Sequence, residues 1–96
     1  MDRVDILSRR AQRLRAKGEH RKAANTYGEL TSVEPTNARW WVLLAITAYS
    51  AHRVEVCVKA CRQAAYLFRQ RGERARDRSL ARWVDAHGEL SDRQAA

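Results

Sequence analysis

The feature that most restricts this chain is its similarity to itself at an offset of 34 residues. At that offset Leu7 meets Trp41, Ala11 meets Ala45, Leu14 meets Ala48, Ala23 meets Cys57, Tyr27 meets Cys61 and Leu30 meets Ala64. At three of these six pairs large faces large or small replaces small. A period of this size marks supersecondary units that cannot bury their apolar faces alone and do so by stacking. Within the second period Trp41, Leu44, Ala45 and Ala48 recur at steps of three and four, which puts them on one face of a helix. Val42, Leu43 and Ile46 make the same helix apolar on a further side, as expected of one that packs between neighbours and also lines a groove. Val54, Cys57, Val58, Cys61, Ala64, Ala65 and Phe68 predict a following helix that runs to about Gln70, since nothing before Gly72 breaks it. One Pro and four Gly in 96 residues agree with a helical chain, and the length predicts a single domain over residues 1–96.

The first period carries the more specific pattern. Gly18 offers a turn, Ala23 precedes Tyr27 by one helical turn, and Pro35 stands at the exit. With Leu7, Ala11 and Leu14 ahead of the string from Lys17 to Tyr27, this unit resembles the tetratricopeptide repeat, a 34-residue helix-turn-helix with a set order of large and small side chains. Repeat 1 would span about 4–37. Repeat 2 would span about 38–71, with Trp41, Leu44 and Ala45 in the family spacing. Its second half departs from the pattern: Cys57 replaces the small residue, Cys61 the aromatic and His52 the turn glycine, and no Pro stands at the exit. The resemblance covers 68 of the 96 residues. It implies an all-α fold, an α-α superhelix of two antiparallel helix hairpins with a fifth, capping helix.

That cap is expected over about 73–87, where Ala75, Leu80, Trp83, Val84 and His87 lie among many charges, with Gly88 as its stop and residues 89–96 as a frayed tail. Met1, Asp2 and Arg3 do not open a secretory signal, and no apolar run approaches the length that spans a bilayer. A cytoplasmic address is expected. Cys57 and Cys61, four apart on a helix, read as core packing in a reducing compartment rather than as a disulfide, redox or metal pair. His20 and His52 fall in turns and His87 near a helix end, so no metal or other cofactor is expected. Neither a phosphate-binding glycine loop, a nucleophile elbow nor a carboxylate pair in an apolar setting is present, which argues against an enzyme.

Net charge is +8, unevenly spread: residues 38–71 carry six basic side chains against one acidic, whereas residues 72–96 carry five of each. A positive surplus favours acidic partners without choosing among protein, nucleic acid and membrane. The resemblance implies a concave groove lined by Asp5, Ser8, Gln12 and Arg15 of repeat 1 and by Arg39, Val42, Leu43, Ile46 and Tyr49 of repeat 2. Its apolar part would grip a peptide or helix of another protein while Arg15 and Arg39 orient acidic groups. Trp41 is assigned to the core by register, leaving Trp40 as a candidate partner contact. Some family members clamp a C-terminal carboxylate with Lys, Asn and Arg. The matching positions here hold Ser8, Gln12 and Leu43, so that activity does not carry over. The expected function is therefore a non-enzymatic protein-binding scaffold or adaptor. A small repeat chaperone for a secreted subunit, or a basic binder of nucleic acid or anionic surfaces, stand as alternatives. Nucleic-acid binding would require Arg9, Arg10, Arg13, Arg53, Arg62, Arg69 and Arg71 to form one stripe. Two repeats make a thin stack, so self-association through the segment from Arg3 to Leu14, or through Trp83, is a further expectation.

Overall fold

Five helices follow one another in the computed structural model, which describes the backbone of residues 2–95 and the side chains of residues 2–84 and 86. They are α1 (Arg3–Ala16), α2 (His20–Val33), α3 (Ala38–Ser50), α4 (Val54–Gln70) and α5 (Arg74–Ala95). The fold is all-α. Each helix packs chiefly on its neighbours in sequence. The shortest extent, 20 Å, is about two helix diameters.

Three of the four connections are the same tight turn. Gly18, His52 and Gly72 each take a positive φ, at 77°, 60° and 77°. In each case the next residue's N–H reaches back five residues: Glu19 to the carbonyl of Leu14 (2.9 Å), Arg53 to Ala48 (2.8 Å) and Glu73 to Phe68 (2.8 Å). This is the left-handed helix terminator that satisfies otherwise orphaned carbonyls. His52 stands 34 residues after Gly18, so the period extends to backbone conformation. The α2–α3 junction is built differently, from side chains. The Glu34 carboxylate accepts from Trp40 Nε1 (2.6 Å) and Asn37 Nδ2 (3.2 Å), and Trp41 Nε1 donates to the Pro35 carbonyl (2.8 Å). Asn37 caps α3 by accepting from the Arg39 N–H (3.1 Å).

Of the six residue pairs in the 34-residue register, Leu14 and Trp41 are half-buried and all the others are buried. One cluster runs from Leu7 and Ala11 through Tyr27 and Leu30 to Leu44, Cys57 and Cys61, so the two hairpins share a core. A smaller one joins Ala38 to Ala64, Leu67 and Phe68.

The assignment of the two tryptophans is corrected by the structure. Trp40 is only 6% exposed and stacks at 6.4 Å on Tyr27 of the preceding hairpin, while Trp41 is half-buried between the two clusters. Trp40 is therefore not a partner contact. The buried stripe of α3 is wider than the apolar letters indicate, because Thr47 turns its hydroxyl back onto the carbonyls of Leu43 (2.9 Å) and Leu44 (3.2 Å) and packs as an apolar residue.

The cap also differs from expectation. Helix α5 passes through Gly88 to Ala95 rather than stopping there. A glycine inside a helix costs about 1 kcal/mol relative to alanine and does not by itself end it. Leu80, Trp83 and Val84 pack half-buried against the main cluster, and Arg69 holds Asp77 through two bonds of 3.2 and 3.3 Å. The expected contribution of His87 lies outside the described side chains.

Candidate functional site

A concavity lies where α3, the end of α4 and the start of α5 meet. Its volume is about 640 Å³. Val42 and Leu43 of α3, Phe68 of α4 and Leu80 of α5 form an apolar lining. Arg39, Arg71 and Arg76 stand on its wall, and no carboxylate lines it among the described residues. The Arg39 guanidinium lies over the Trp40 ring and that of Arg76 over Phe68, each 5.5 Å from the centroid. These stacking contacts orient the cations and leave hydrogen-bonding capacity at the guanidinium edge. Arg76 also reaches Glu73 at 3.9 Å, whereas Arg71 has no ion pair or hydrogen bond through its guanidinium among the described residues.

The groove expected from the sequence is thus divided. Arg39, Val42 and Leu43 line this cavity, but their companions come from α4 and α5 rather than from α1. Ile46 (43% exposed) and Tyr49 (50% exposed) lie further along α3, where Tyr49 meets Trp83 edge-on at 5.8 Å. On α1, Gln12 shares a second, open concavity of about 570 Å³ with Ile6, Arg9, Arg13 and Ala16. Asp5 and Arg15 are exposed and Ser8 half-buried, and none of the three lines either concavity.

Phe68, Arg71, Arg76 and Leu80 were absent from the expected groove. A signal for two of them existed: the same offset carried once more takes Val42 to Arg76 and Ile46 to Leu80. Treating the last helix only as a cover for the core hid its second use as a wall.

The arginines that nucleic acid would require on one stripe are separated. Arg9, Arg10 and Arg13 lie on α1, while Arg53, Arg62, Arg69 and Arg71 lie on or beside α4, with α2 and α3 between. Arg53 is held by Asn25 Oδ1 at 2.9 Å and Arg69 by Asp77. Cys57 and Cys61 are both free thiols, 2% and 4% exposed. The hydrogen bond to Cys61, together with burial, pushes the Cys57 thiol well above its ordinary range, so it stays protonated and unreactive at neutral pH. Among the described residues no group of three or more His, Cys, Asp or Glu is placed to hold a metal ion, and no helix is long and apolar enough to cross a membrane. No protein-family model, curated protein or solved structure matches this chain.

Proposed function

We propose that the chain is a tetratricopeptide-like α-α superhelical module that binds a segment of another protein, with the concavity between α3 and α5 as the seat. The supporting observation is the combination there of an apolar lining with three arginines and, among the described residues, no acidic one. An apolar side chain of the bound segment would displace water from Val42, Leu43, Phe68 and Leu80, gaining about 25 cal/mol per Å² buried. Arg39, Arg71 and Arg76 would orient flanking carboxylates, which adds specificity and on-rate more than affinity. Half-buried Leu43 and unengaged Arg71 separate the two contributions.

The test is a selection from a random peptide library, followed by fluorescence anisotropy on the peptides recovered. Leu43→Glu is expected to weaken binding more than about tenfold, equivalent to ~1.4 kcal/mol, with helical circular dichroism retained. Arg71→Glu is expected to weaken it less, with the difference fading at high salt. Failure to select any peptide, or binding indifferent to both substitutions in folded protein, would remove this seat from consideration.

A further inference from the structure

The concavity between α3 and α5 has two levels, built the same way on three helices. Tight turns reverse the chain after α3 and after α4, so α3 and α5 begin at the end where α4 finishes. Each helix brings an exposed arginine to that end: Arg39 in the first turn of α3, Arg71 at the C-cap of α4 and Arg76 in the first turn of α5. Each arginine has an apolar lining residue three or four positions away on its own helix, respectively Leu43, Phe68 and Leu80. That spacing places the two on one helical face, about one turn or ~5 Å apart. Leu43 and Leu80 are half-buried and Phe68 is buried, so an exposed cationic rim stands one turn from an apolar floor. The space of about 640 Å³ falls within the ~300–1,000 Å³ of ligand pockets.

The rim holds more positive charge than one carboxylate answers. Among the described residues Arg39 and Arg71 have no ion pair, and Arg76 has only Glu73, at 3.9 Å with both side chains exposed. Three arginines less that one carboxylate leave two charges open. A carboxylate brings a single charge, whereas a phosphomonoester brings about −1.5 to −2 at neutral pH together with three strong acceptor oxygens. The planar guanidinium fork fits phosphate geometry, and two of the three forks are already oriented by stacking at 5.5 Å, Arg39 on Trp40 and Arg76 on Phe68. That orientation lowers the ordering cost of capture, while Arg71 is left to close on the ligand.

We infer that the concavity takes a phosphorylated segment of its partner, with the phosphate at the arginine rim and the apolar side chain that carries or adjoins it laid on Leu43, Phe68 and Leu80. This rests on the reading of the same concavity as a peptide seat and names the chemistry that the peptide brings. Phosphorylation of the partner then strengthens its capture. A nucleic-acid backbone suits the site less well, because each phosphodiester carries one charge and a sugar, not an apolar side chain, stands beside it. It would meet the rim and leave the floor uncovered.

Fluorescence anisotropy of the full chain with degenerate peptide pools tests the inference. One pool carries a central phosphotyrosine and another a central phosphoserine, each compared with its unphosphorylated twin. At least one phosphorylated pool is expected to bind about tenfold or more tighter than its twin. Arg71→Gln should cut that ratio by about threefold or more and leave the twin's affinity nearly unchanged, the mark of a pairwise contact with the phosphate. Arg10→Gln removes the same charge from an exposed position on α1 outside the concavity and should leave the ratio intact. Leu43→Ala should weaken both pools by a similar factor, and circular dichroism checks that every variant is helical. Twins that bind as tightly as the phosphorylated pools and are still weakened by Leu43→Ala would overturn the phosphate inference and keep the peptide seat. A phosphate preference that Arg10→Gln reduces as much as Arg71→Gln would assign it to overall charge and overturn the inference too. So would Arg71-dependent binding to phosphatidylserine vesicles with no preference between the pools, which would mark a membrane contact. Pools that bind in no case would remove the seat together with its ligand.

Discussion

The two hairpins reach one backbone plan by different chemistry. In the first, glycine supplies the left-handed turn residue at position 18 and Tyr27 fills the core; in the second, His52 and Cys61 stand at the same places. The turn hydrogen bonds agree within 0.1 Å, and Tyr27 and Cys61 are 1% and 4% exposed. What the period preserves is therefore burial and the sign of φ, not residue type or size. The tyrosine is large because Trp40 of the next hairpin stacks on it, whereas Cys61 adjoins Cys57 within its own helix. The first hairpin carries the contact between hairpins. The second is sealed from its far side by α5.

Truncation should expose that asymmetry most strongly. Tyr27→Ala removes a nearly fully buried aromatic that touches both hairpins and is expected to cost about 3–5 kcal/mol. Cys61→Ala, one period later, deletes a single sulfur atom and should cost ~1 kcal/mol. Urea unfolding followed by circular dichroism measures both. Equal losses would mean that the two hairpins contribute alike and that the stacking of Tyr27 on Trp40 has no special weight.

A smaller effect tests the junction itself. Trp40→Phe keeps most of the ring against Tyr27 but deprives the Glu34 carboxylate of its 2.6 Å donor, leaving only Asn37 Nδ2 at that oxygen. The expected loss is about 1.5–3 kcal/mol, the range for a hydrogen bond to a charged group. Trp41→Phe removes an exposed bond to the Pro35 carbonyl and should cost less, about 0.5–1.5 kcal/mol. A reversed order would restore Trp41 to the core position that its register first suggested.

How much of this could be read from the sequence depends on where each side chain finds its partner. Positions whose surroundings lie within one hairpin repeat faithfully, so Ala11 and Ala45, or Ala23 and Cys57, were legible as buried pairs. Trp40 was not, because its equivalent one period earlier is Ile6, which is 44% exposed on the first helix, where no preceding hairpin among the described elements covers it. Thr47 was hidden for another reason: a hydroxyl that bonds to its own helix is apolar in practice although polar by letter. The α3 half of the cavity was legible from Val42 and Leu43. Its other half was not, since Phe68 reads only as core and the wall formed by Arg76 and Leu80 depends on how α5 leans over α4.

The smallest expected effect concerns the turn, and it has opposite signs in the two hairpins. Gly18 has nothing within 4 Å of where a Cβ would stand, so Gly18→Ala meets no steric neighbour and its cost is that of the positive φ alone, about 1 kcal/mol. His52 already bears that strain at φ 60° and is exposed, and its side chain makes no hydrogen bond or ion pair among the described residues. His52→Gly should relieve it, less the extra freedom glycine gains in the unfolded chain, for a net gain of about 0.5 kcal/mol. Measured together by urea unfolding, the two substitutions should move the midpoint in opposite directions. A loss on His52→Gly would mean that the imidazole makes a contact worth more than the strain it imposes, and the second turn would then be held by its side chain rather than by its carbonyls.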